Sequence, residues 1–353
     1  MHVNQGAEET PPLFVPVGAT VVKPLQLATH CLEQGRSDDA YALLQQAAAA
    51  GDTDALMQLA VWHLSGTIFA RDLPAARHLL GRAAALGHAD AALIEIALTA
   101  NGSGGTADWK TAAQLLDRAA RKDPLAAEYL ELLRKMDLDE DGAPRELPQS
   151  APLHPKPRIE HFARFCTPEE CVHIASLTAN FLQPASVFDP RSGKMIAHPI
   201  RSSDNAVVGP TQESLVVQAI NRRIAAATGT ATEQGEPLTV LRYAPGQQYR
   251  PHLDTLPSPV SNQRIRTAIL YLNANFTGGE TEFPLLGIKV APGAGDLLVF
   301  DNVDAQGAPE PLSRHAGLPV ISGTKWIATR WIRARPTSAW ELSDEARAAA
   351  PAG

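Results

Sequence analysis

The sequence has few cysteines, no long apolar run and no signal-peptide pattern, the features that mark disulfide-rich, membrane and secreted proteins. Its 353 residues include only three cysteines, Cys31, Cys166 and Cys171, and this odd, sparse set argues against a disulfide framework. No apolar run approaches the roughly 18 residues of a membrane-spanning helix. The N-terminal MHVNQGAEETPP lacks a basic segment followed by an apolar core. These absences predict a cytoplasmic protein without a membrane segment, in a compartment that keeps thiols reduced.

An excess of basic residues is also missing. The chain has 31 Lys and Arg against 38 Asp and Glu, a formal net charge of −7 and a pI near 5.9. This balance gives no sequence-wide reason to expect binding to nucleic acid or to an anionic membrane. At 353 residues the chain is long for one domain and natural for two.

The first half of the chain repeats with a period of 36 residues. A fixed period in this range is typical of a solenoid of helix pairs, in which Leu and Ala at helical spacing form the apolar stripe. Gly51 and Gly87 fall where the first helix of a pair must end, which predicts left-handed C-terminal caps, whereas Asp123-Pro124 replaces the glycine in the third copy. The recurring columns are Ala40/Ala76/Ala112, Leu43/Leu79/Leu115, Leu44/Leu80/Leu116, Ala47/Ala83/Ala119 and Ala55/Ala91/Ala127.

This register resembles Sel-one-like repeats, relatives of the tetratricopeptide class. The resemblance implies a protein-binding scaffold over residues 22–136, so that the repeats would recruit a partner. The alternative is that they form a structural extension of the second half. A capping helix is predicted over residues 24–34. Residues 1–21 are interpreted as a flexible tail, and the Pro-rich residues 137–156 as a linker.

The second half, residues 157–337, changes to short β-like runs separated by Pro and Gly, which are typical of a sandwich or jelly roll. Thr167 and Glu170 form a capping box that predicts a helix start. A further helix is predicted from Glu213 to Thr228, ended by Gly229. Residues 338–353 are interpreted as a C-terminal tail.

A metal-binding pattern lies within the β-like runs. His252 and Asp254 at i and i+2 on a strand point to the same side and can bind one ion together. His315 supplies a third ligand. Two histidines and one carboxylate on one face of a metal are the arrangement of non-heme Fe(II) oxygenases, with coordination positions left open. A lone His is more often a structural residue, so the conjunction of all three carries the prediction.

Lys325 follows ten residues after His315, and its ammonium is suited to anchoring the far carboxylate of a 2-oxoacid. Alternation places Lys325 on the same side of its strand as Trp331. A lysine that points into a β-core without an anion would cost several kcal/mol. The predicted site therefore combines a metal with a carboxylate-bearing cosubstrate.

From about residue 155 to 336 the chain resembles Fe(II)/2-oxoglutarate dioxygenases of the prolyl 4-hydroxylase type. The resemblance implies a double-stranded β-helix, cupin-like, with two supporting helices. It also implies Fe(II), 2-oxoglutarate as cosubstrate, O2, and ascorbate as a reductant. The matching segments are IRSS, RYAPGQQYRPHLD, RIRTAILYLN, GGETEFP, GDLLVF, HAGLPVISGTKW and ATRWI.

The resemblance and strand parity also suggest roles for residues around the metal. Tyr243, Tyr271 and Thr281 are candidates to contact the cosubstrate, although buried tyrosines can equally be core residues. By position, six residues match places that shape the peptide groove or the site mouth, each of which could equally be an ordinary surface residue: Arg201, Ser203, Glu236, Tyr249, Arg264 and Trp331.

The predicted function is hydroxylation of a protein or peptide, at proline, with the helical repeats as an interaction module. One alternative is the same chemistry on a small molecule or on another side chain. A second, from a different class, is a binding scaffold with a degenerate oxygenase domain, which the intact His252, Asp254, His315 and Lys325 disfavour.

Overall fold

The computed structural model describes residues 23–189, 194–197, 200–257 and 260–342. The predicted N-terminal tail, residues 1–21, lies outside them, and only residues 338–342 of the predicted C-terminal tail are included.

The N-terminal half is a solenoid that opens with the predicted capping helix, α1 Pro24–Glu33. Three helix pairs follow: α2 Ser37–Ala49 with α3 Thr53–Ser65, α4 Leu73–Ala85 with α5 Ala89–Asn101, and α6 Trp109–Ala119 with α7 Pro124–Lys135. The first helices of the pairs begin at residues 37, 73 and 109, which confirms the period of 36. Gly51 (φ +90°) and Gly87 (φ +96°) adopt the predicted left-handed conformation just past α2 and α4.

The third repeat departs from the predicted register by one residue. Asp52, His88 and Asp123 are the N-caps of α3, α5 and α7, so the first interval between caps is 36 residues and the second is 35. Each cap accepts a hydrogen bond from the amide three residues on, and the amide is that of Ala126 in α7. The fully buried alanine of α7 is therefore Ala126 instead of the predicted Ala127, because Asp123-Pro124 starts the helix without a preceding glycine.

The C-terminal half is the predicted jelly roll. Its strands are β1 Ser150–Pro155, β2 Arg158–Phe162, β3 Gln183–Pro184, β4 Ser186–Asp189, β5 Lys194–Ala197, β6 Asp204–Val207, β7 Thr239–Tyr243, β8 Tyr249–His252, β9 Arg264–Tyr271, β10 Phe276–Gly278, β11 Thr281–Phe283, β12 Ile288–Val290, β13 Leu297–Asp301, β14 His315–Gly317, β15 Val320–Gly323 and β16 Lys325–Arg333. The eight-stranded sheet has the order β1-β2-β13-β9-β16-β7-β6-β3, and a four-stranded sheet has the order β12-β11-β14-β8. Two two-stranded sheets, β10-β15 and β4-β5, complete the domain.

Strand alternation divides the apolar residues of the large sheet between two cores. Tyr271 and Phe300 pack with Phe283 of the four-stranded sheet in the core between the two large sheets. The opposite face of the large sheet packs on the two supporting helices, α8 Pro168–Thr178 and α9 Leu215–Thr228. The capping box at Thr167 and the left-handed Gly229 (φ +64°) bound these helices as predicted.

The segment interpreted as a linker is largely folded. Ser150–Pro155 forms the edge strand β1, a position that tolerates its prolines, so strand structure begins seven residues before the predicted boundary at 157. Gly142 (φ +77°) lies against the ring of Trp109, where any Cβ would collide with the indole. The connection is thus packed on the repeats instead of spanning open solvent.

Helix α9 is a wall shared by both halves. Leu215 is buried with Leu116 and Ala126 of the repeats, while other α9 side chains pack on the large sheet. The side-chain amide of Gln218 donates to the carbonyl of Ala97 at 3.0 Å. At the C-terminal end Trp340 donates from Nε1 to the Ser103 hydroxyl at 2.9 Å, so the start of the predicted tail docks on the repeats.

Leu215→Ala tests this wall. We expect the free energy of unfolding to fall by about 2–5 kcal/mol, because the substitution leaves a cavity where the two halves meet. Leu215 is 1% exposed. Chemical denaturation followed by circular dichroism measures the change, with Leu285→Ala at a 58% exposed position as the control. Equal stability of both variants would mean that the halves do not share a packed interface.

Candidate active site

The two predicted histidines and the aspartate converge inside the jelly roll. Strands β8 and β14 pair so that His252 lies opposite His315, and Asp254 follows two residues after the end of β8. Candidate ligand atoms of all three residues lie within 4.8 Å of one another, and all three side chains are buried. Asp254 Oδ1 is 3.4 Å from His252 Nε2, and Asp254 Oδ2 is 3.7 Å from His315 Nε2.

Hydrogen bonds behind the imidazoles fix which nitrogen is available. His252 Nδ1 lies 2.8 Å from the carbonyl oxygen of Arg250, and His315 Nδ1 lies 3.1 Å from that of Ser313. A carbonyl only accepts, so each Nδ1 must carry the proton and donate. Each Nε2, on the side of Asp254, is then the nitrogen left to bind a metal, which is the arrangement a metal ligand needs. The donor set therefore fits a divalent metal such as Fe(II).

The carboxylate of Asp254 is held by a chain of hydrogen bonds. Thr267 Oγ1 donates to Asp254 Oδ2 at 2.6 Å, and Asn302 Nδ2 donates to Thr267 Oγ1 at 2.9 Å. Burial by itself would raise the pKa of Asp254, but His315, His252 and the Thr267 hydroxyl together hold that pKa below its usual range. Burial lowers the pKa of His315 to about 4. The ligand set is thus ionised at Asp254 and neutral at His315 near neutral pH.

Thr267→Val tests the support of Asp254. The replacement keeps the shape of the side chain but removes the donor to the carboxylate, so iron affinity is expected to fall by about 10- to 100-fold. Titration of metal-free protein with Fe(II) under anaerobic conditions measures this. Thr277→Val, at an exposed hydroxyl that pairs with Ser322, is the control. Unchanged affinity in Thr267→Val would show that the hydrogen bond does not position Asp254.

Aromatic rings hold the histidines from the other side. Tyr249 stacks on His252 with ring centroids 3.4 Å apart and an interplanar angle of 15°. His315 packs against Phe300 at 4.6 Å and Phe283 at 5.8 Å. These contacts leave each imidazole little freedom to turn away from the cluster.

Lys325 points into the same cavity, as the alternation of β16 predicts. It is 3% exposed, and its Nζ donates to the carbonyl of Gly279 at 2.6 Å. The ammonium lies 5.5 Å from the ring centre of Tyr243 and 5.6 Å from that of Tyr271. Burial lowers the pKa of Lys325 to about 8, with Glu280 opposing the shift. The surroundings are those of a buried cation that an incoming carboxylate would pair with.

Two glycines make room for this lysine. Gly278 and Gly279 have φ near +70°, a conformation that favours glycine, and a Cβ on Gly279 would lie 3.1 Å from Lys325 Cδ. The turn leads into Thr281, whose hydroxyl shares a 2.6 Å hydrogen bond with Tyr271 Oη. Tyr243 and Thr281 line the cavity with Lys325, whereas Tyr271 does not: it is fully buried in the core and reaches the site through the Thr281 hydroxyl.

The residues predicted for the substrate groove fall into two sets. Arg201 lies over the ring of Tyr249 at 5.5 Å, and Tyr249 stacks on the candidate metal ligand His252. Arg264 lies over Trp331 at 4.1 Å, and Trp331 lines the cavity. Glu236 is absent from the cavity lining and is buried in a two-pronged ion pair with Arg264, at 2.7 Å for each bond.

Glu236 thus borders the site through its neighbours, because its carboxylate pairs with Arg264 and its amide donates to the carbonyl of Trp331 at 2.8 Å. It also pairs with Arg333, so both arginines neutralise the buried carboxylate. Ser203, the last of the predicted groove residues, is 1% exposed and precedes β6.

Sequence reasoning missed Asn302, Phe283 and Phe300 as parts of the site. The sequence did contain a signal for Phe300 and Asn302. Leu298 and Phe300 of β13 face the inner core, and the same alternation of every second residue places Asn302 on that side. Phe283 has no comparable signal, since its contact with His315 depends on the pairing of β11 with β14.

Comparison with known proteins agrees with this geometry. The family model described as the 2OG-Fe(II) oxygenase superfamily matches residues 238–333. Prolyl 4-hydroxylase 1 of Arabidopsis thaliana is 36% identical over 200 residues, covering 52% of this chain and 71% of the relative. The chain belongs to the prolyl 4-hydroxylase family of 2-oxoglutarate- and Fe(II)-dependent dioxygenases.

Two solved structures are similar to separate halves of this prolyl 4-hydroxylase family member. Viral collagen prolyl hydroxylase from Paramecium Bursaria Chlorella virus-1, in complex with 2OG, is 30% identical with a TM-score of 0.42, covering 50% of this chain and 96% of the other. A Sel1 repeat protein from Oxalobacter formigenes is 22% identical with a TM-score of 0.28, covering 31% of this chain and 85% of the other.

As a member of this family, the protein is a dioxygenase that uses Fe(II), 2-oxoglutarate and O2. None of the helices in the described part of the chain has the length and apolar character needed to cross a membrane.

Proposed function

We propose that this dioxygenase hydroxylates proline in a protein or peptide, with His252, Asp254 and His315 binding the iron and Lys325 binding the far carboxylate of 2-oxoglutarate. The observation that carries the assignment is the burial of both groups in one cavity. Several curated relatives that match are named prolyl 4-hydroxylases, which supports proline as the target residue.

Each protein group has a separate task in this proposal. When bound, the iron would bring 2-oxoglutarate and O2 together, so that decarboxylation to succinate is coupled to oxygen transfer. Lys325 orients the cosubstrate through one charge-assisted contact at the far end of the cavity. Tyr243 and Thr281 line its path, Tyr271 holds the Thr281 hydroxyl from the core, and the surrounding apolar residues exclude bulk water. No side chain has to act as a general base.

The groove for the peptide is proposed at the mouth of the cavity, between Arg201 with Tyr249 on one side and Arg264 with Trp331 on the other. Trp331 Nε1 is buried and has no hydrogen-bond partner within the described residues, so it is a donor available to a carbonyl of the substrate. Glu236 would hold Arg264 in place, while Ser203 would support the groove from within.

The setting of the reaction is proposed from composition. The cysteines Cys31, Cys166 and Cys171 are all free and buried, which suits a cytoplasmic protein in a reducing compartment. Ascorbate is proposed as the reductant that keeps the iron ferrous. The repeats are proposed to recruit the protein target in addition to packing on α9, because a second binding surface raises the local concentration of substrate.

Succinate release with and without candidate peptides tests the function. Proline-containing peptides are expected to stimulate succinate formation and to gain one oxygen atom by mass spectrometry. Matched peptides with alanine in place of proline are the control. If both sets of peptides stimulate succinate release and the oxygen lies on another side chain, the oxygenase activity stands and the assignment of proline as the target is wrong. If only small metabolites stimulate succinate release, the assignment of a polypeptide substrate is wrong.

A further inference from the structure

A groove runs between the last repeat helix and the first helix of the catalytic domain. Every residue that lines it belongs to α7 or α8, and its cavity volume is about 880 Å³. Apolar side chains of α7, Leu125, Tyr129 and Leu132, line it together with Val172 and Leu177 of α8. We call this the α7–α8 groove. It lies outside the oxygenase cavity, with which it shares no lining residue.

The floor of the groove is rigid and uncharged. The rings of Tyr129 and His173 meet edge to face at 4.7 Å. His173 Nε2 is 2.7 Å from the Ser214 hydroxyl, and burial lowers the pKa of this histidine to about 4. The groove is therefore preformed between the two halves of the chain, and the floor that an occupant would contact is aromatic and uncharged.

Large apolar side chains are left in solvent along this surface. Val172 is 63% exposed and Leu125 is 44% exposed. A second cavity shares Leu125, Tyr129 and Leu177 with the groove and continues to Phe181, which is 62% exposed, and to Ile94 on the repeats. A continuous apolar strip of this kind marks a surface that a partner covers.

The rim of the groove selects the charge of that partner. Glu128, Glu131 and Glu169 line it, against one cation, Lys135. Glu131 is paired with Arg134 at 3.1 Å, whereas Glu128 and Glu169 form no ion pair within the described residues. An occupant that carries lysine or arginine beside its apolar residues would complement this rim.

The shape of the groove selects the conformation of the partner. Both walls are helical, so the lining offers no strand edge to which an extended peptide could add. Apolar residues 125, 129 and 132 of α7 recur at helical spacing and can interdigitate with those of a third helix. We propose that the α7–α8 groove binds a basic amphipathic helix of a partner protein, an inference that rests on the proposed recruiting role of the repeats.

The test uses the full chain and a fluorescein-labelled synthetic helix with Leu at i, i+3, i+4 and i+7 and Lys elsewhere. Fluorescence anisotropy is expected to show saturable binding. A peptide of the same composition in scrambled order, and one with Glu in place of Lys, are expected to bind at least about tenfold more weakly. Equal binding of the three peptides, or none, overturns the proposal.

Matched variants locate the binding. Val172→Ser and Glu128→Lys are expected to weaken the Leu/Lys helix at least about fivefold, since they remove apolar contact and rim charge. Leu285→Ser and Glu33→Lys, which make the matching changes at an exposed apolar residue and a glutamate on other surfaces, should bind as the unmodified chain does. Unchanged affinity in Val172→Ser and Glu128→Lys would place the peptide elsewhere.

Two other occupants are outcomes that contradict the proposal. If Val172→Ser converts a dimer to a monomer in sedimentation velocity, the groove binds a second copy of this chain. If the peptide binds only after deletion of residues 1–22 or 343–353, the groove is covered by the chain itself. Succinate release by Val172→Ser should match the unmodified enzyme, so failure of peptide binding is distinguishable from failure of the proposed hydroxylation.

Discussion

Replacing His315 with alanine is expected to abolish stoichiometric iron binding and succinate release together. The substitution leaves His252 and Asp254 as a two-ligand set, and it also opens a gap beside Phe300, where the imidazole now packs. Iron per chain should fall from one to near zero at micromolar metal, and turnover should fall to the level of the assay without enzyme. Anaerobic iron titration and a succinate assay measure the two losses.

The control for this variant is His78→Ala, because His78 is an exposed histidine on α4. It should retain full iron and full activity. Circular dichroism distinguishes loss of a ligand from loss of fold. If folded His315→Ala kept one iron per chain and full turnover, the assignment of the three ligands would be wrong.

Replacing Lys325 with alanine is expected to weaken 2-oxoglutarate binding far more than iron binding. An exposed ion pair would be worth only about 0–1 kcal/mol, but loss of a partner in a sheltered charge pair costs about 3–5 kcal/mol, or at least about 100-fold in the dissociation constant. Lys325 is 3% exposed and is not one of the three candidate ligands. Calorimetric titration of the Fe(II)-loaded, anaerobic enzyme with 2-oxoglutarate measures the change.

Two comparisons sharpen the result for Lys325. Lys289→Ala removes an exposed lysine that pairs with Glu282, and it should leave cosubstrate affinity unchanged. Lys325→Arg keeps the charge and should recover part of the affinity. Unchanged cosubstrate binding in Lys325→Ala would mean that this buried ammonium serves the core and has no role in holding 2-oxoglutarate.

The pKa of Lys325 predicts a pH dependence of cosubstrate binding. Burial lowers this pKa to about 8, so the free enzyme loses the ammonium as pH rises through that value. The affinity for 2-oxoglutarate should therefore be constant below about pH 7 and decline above about pH 8. Lys325→Arg should not show the decline, because the guanidinium stays protonated. A flat profile for the unmodified enzyme would contradict the assigned contact.

Local periodicity predicted those parts of the molecule that depend on neighbouring residues. The interval of 36 gave the starts of α2, α4 and α6, and alternation along β16 placed Lys325 and Trp331 in the cavity. Alternation predicted that His252 and Asp254 share a side, and their ligand atoms do meet, although Asp254 lies two residues past the end of β8. Their meeting with His315 was predicted from the conjunction of the three residues, and the pairing of β8 with β14 supplies the contact that no local pattern encodes.

Features that depend on tertiary packing were missed for a physical reason. The prolines of residues 150–155 suggest a linker, yet β1 is an edge strand in which a missing amide donor costs little. The shared wall at α9 depends on Leu215 joining the apolar cluster that holds Ala126, 89 positions away, which no local pattern encodes. Trp340 was likewise interpreted as part of a tail, because its hydrogen bond to Ser103 joins residues that are far apart in the sequence.

Oxygen transfer to proline is the most direct test of the account. The Fe(II)-loaded enzyme would be incubated with 2-oxoglutarate, a proline-containing peptide and isotope-labelled dioxygen, and the peptide and succinate would be analysed by mass spectrometry. The account predicts one labelled oxygen on proline for each succinate formed, and none with His315→Ala. The account would be contradicted if succinate formed while no proline-containing peptide gained a labelled oxygen. It would also be contradicted if the peptide gained as much label with His315→Ala as with the unmodified enzyme.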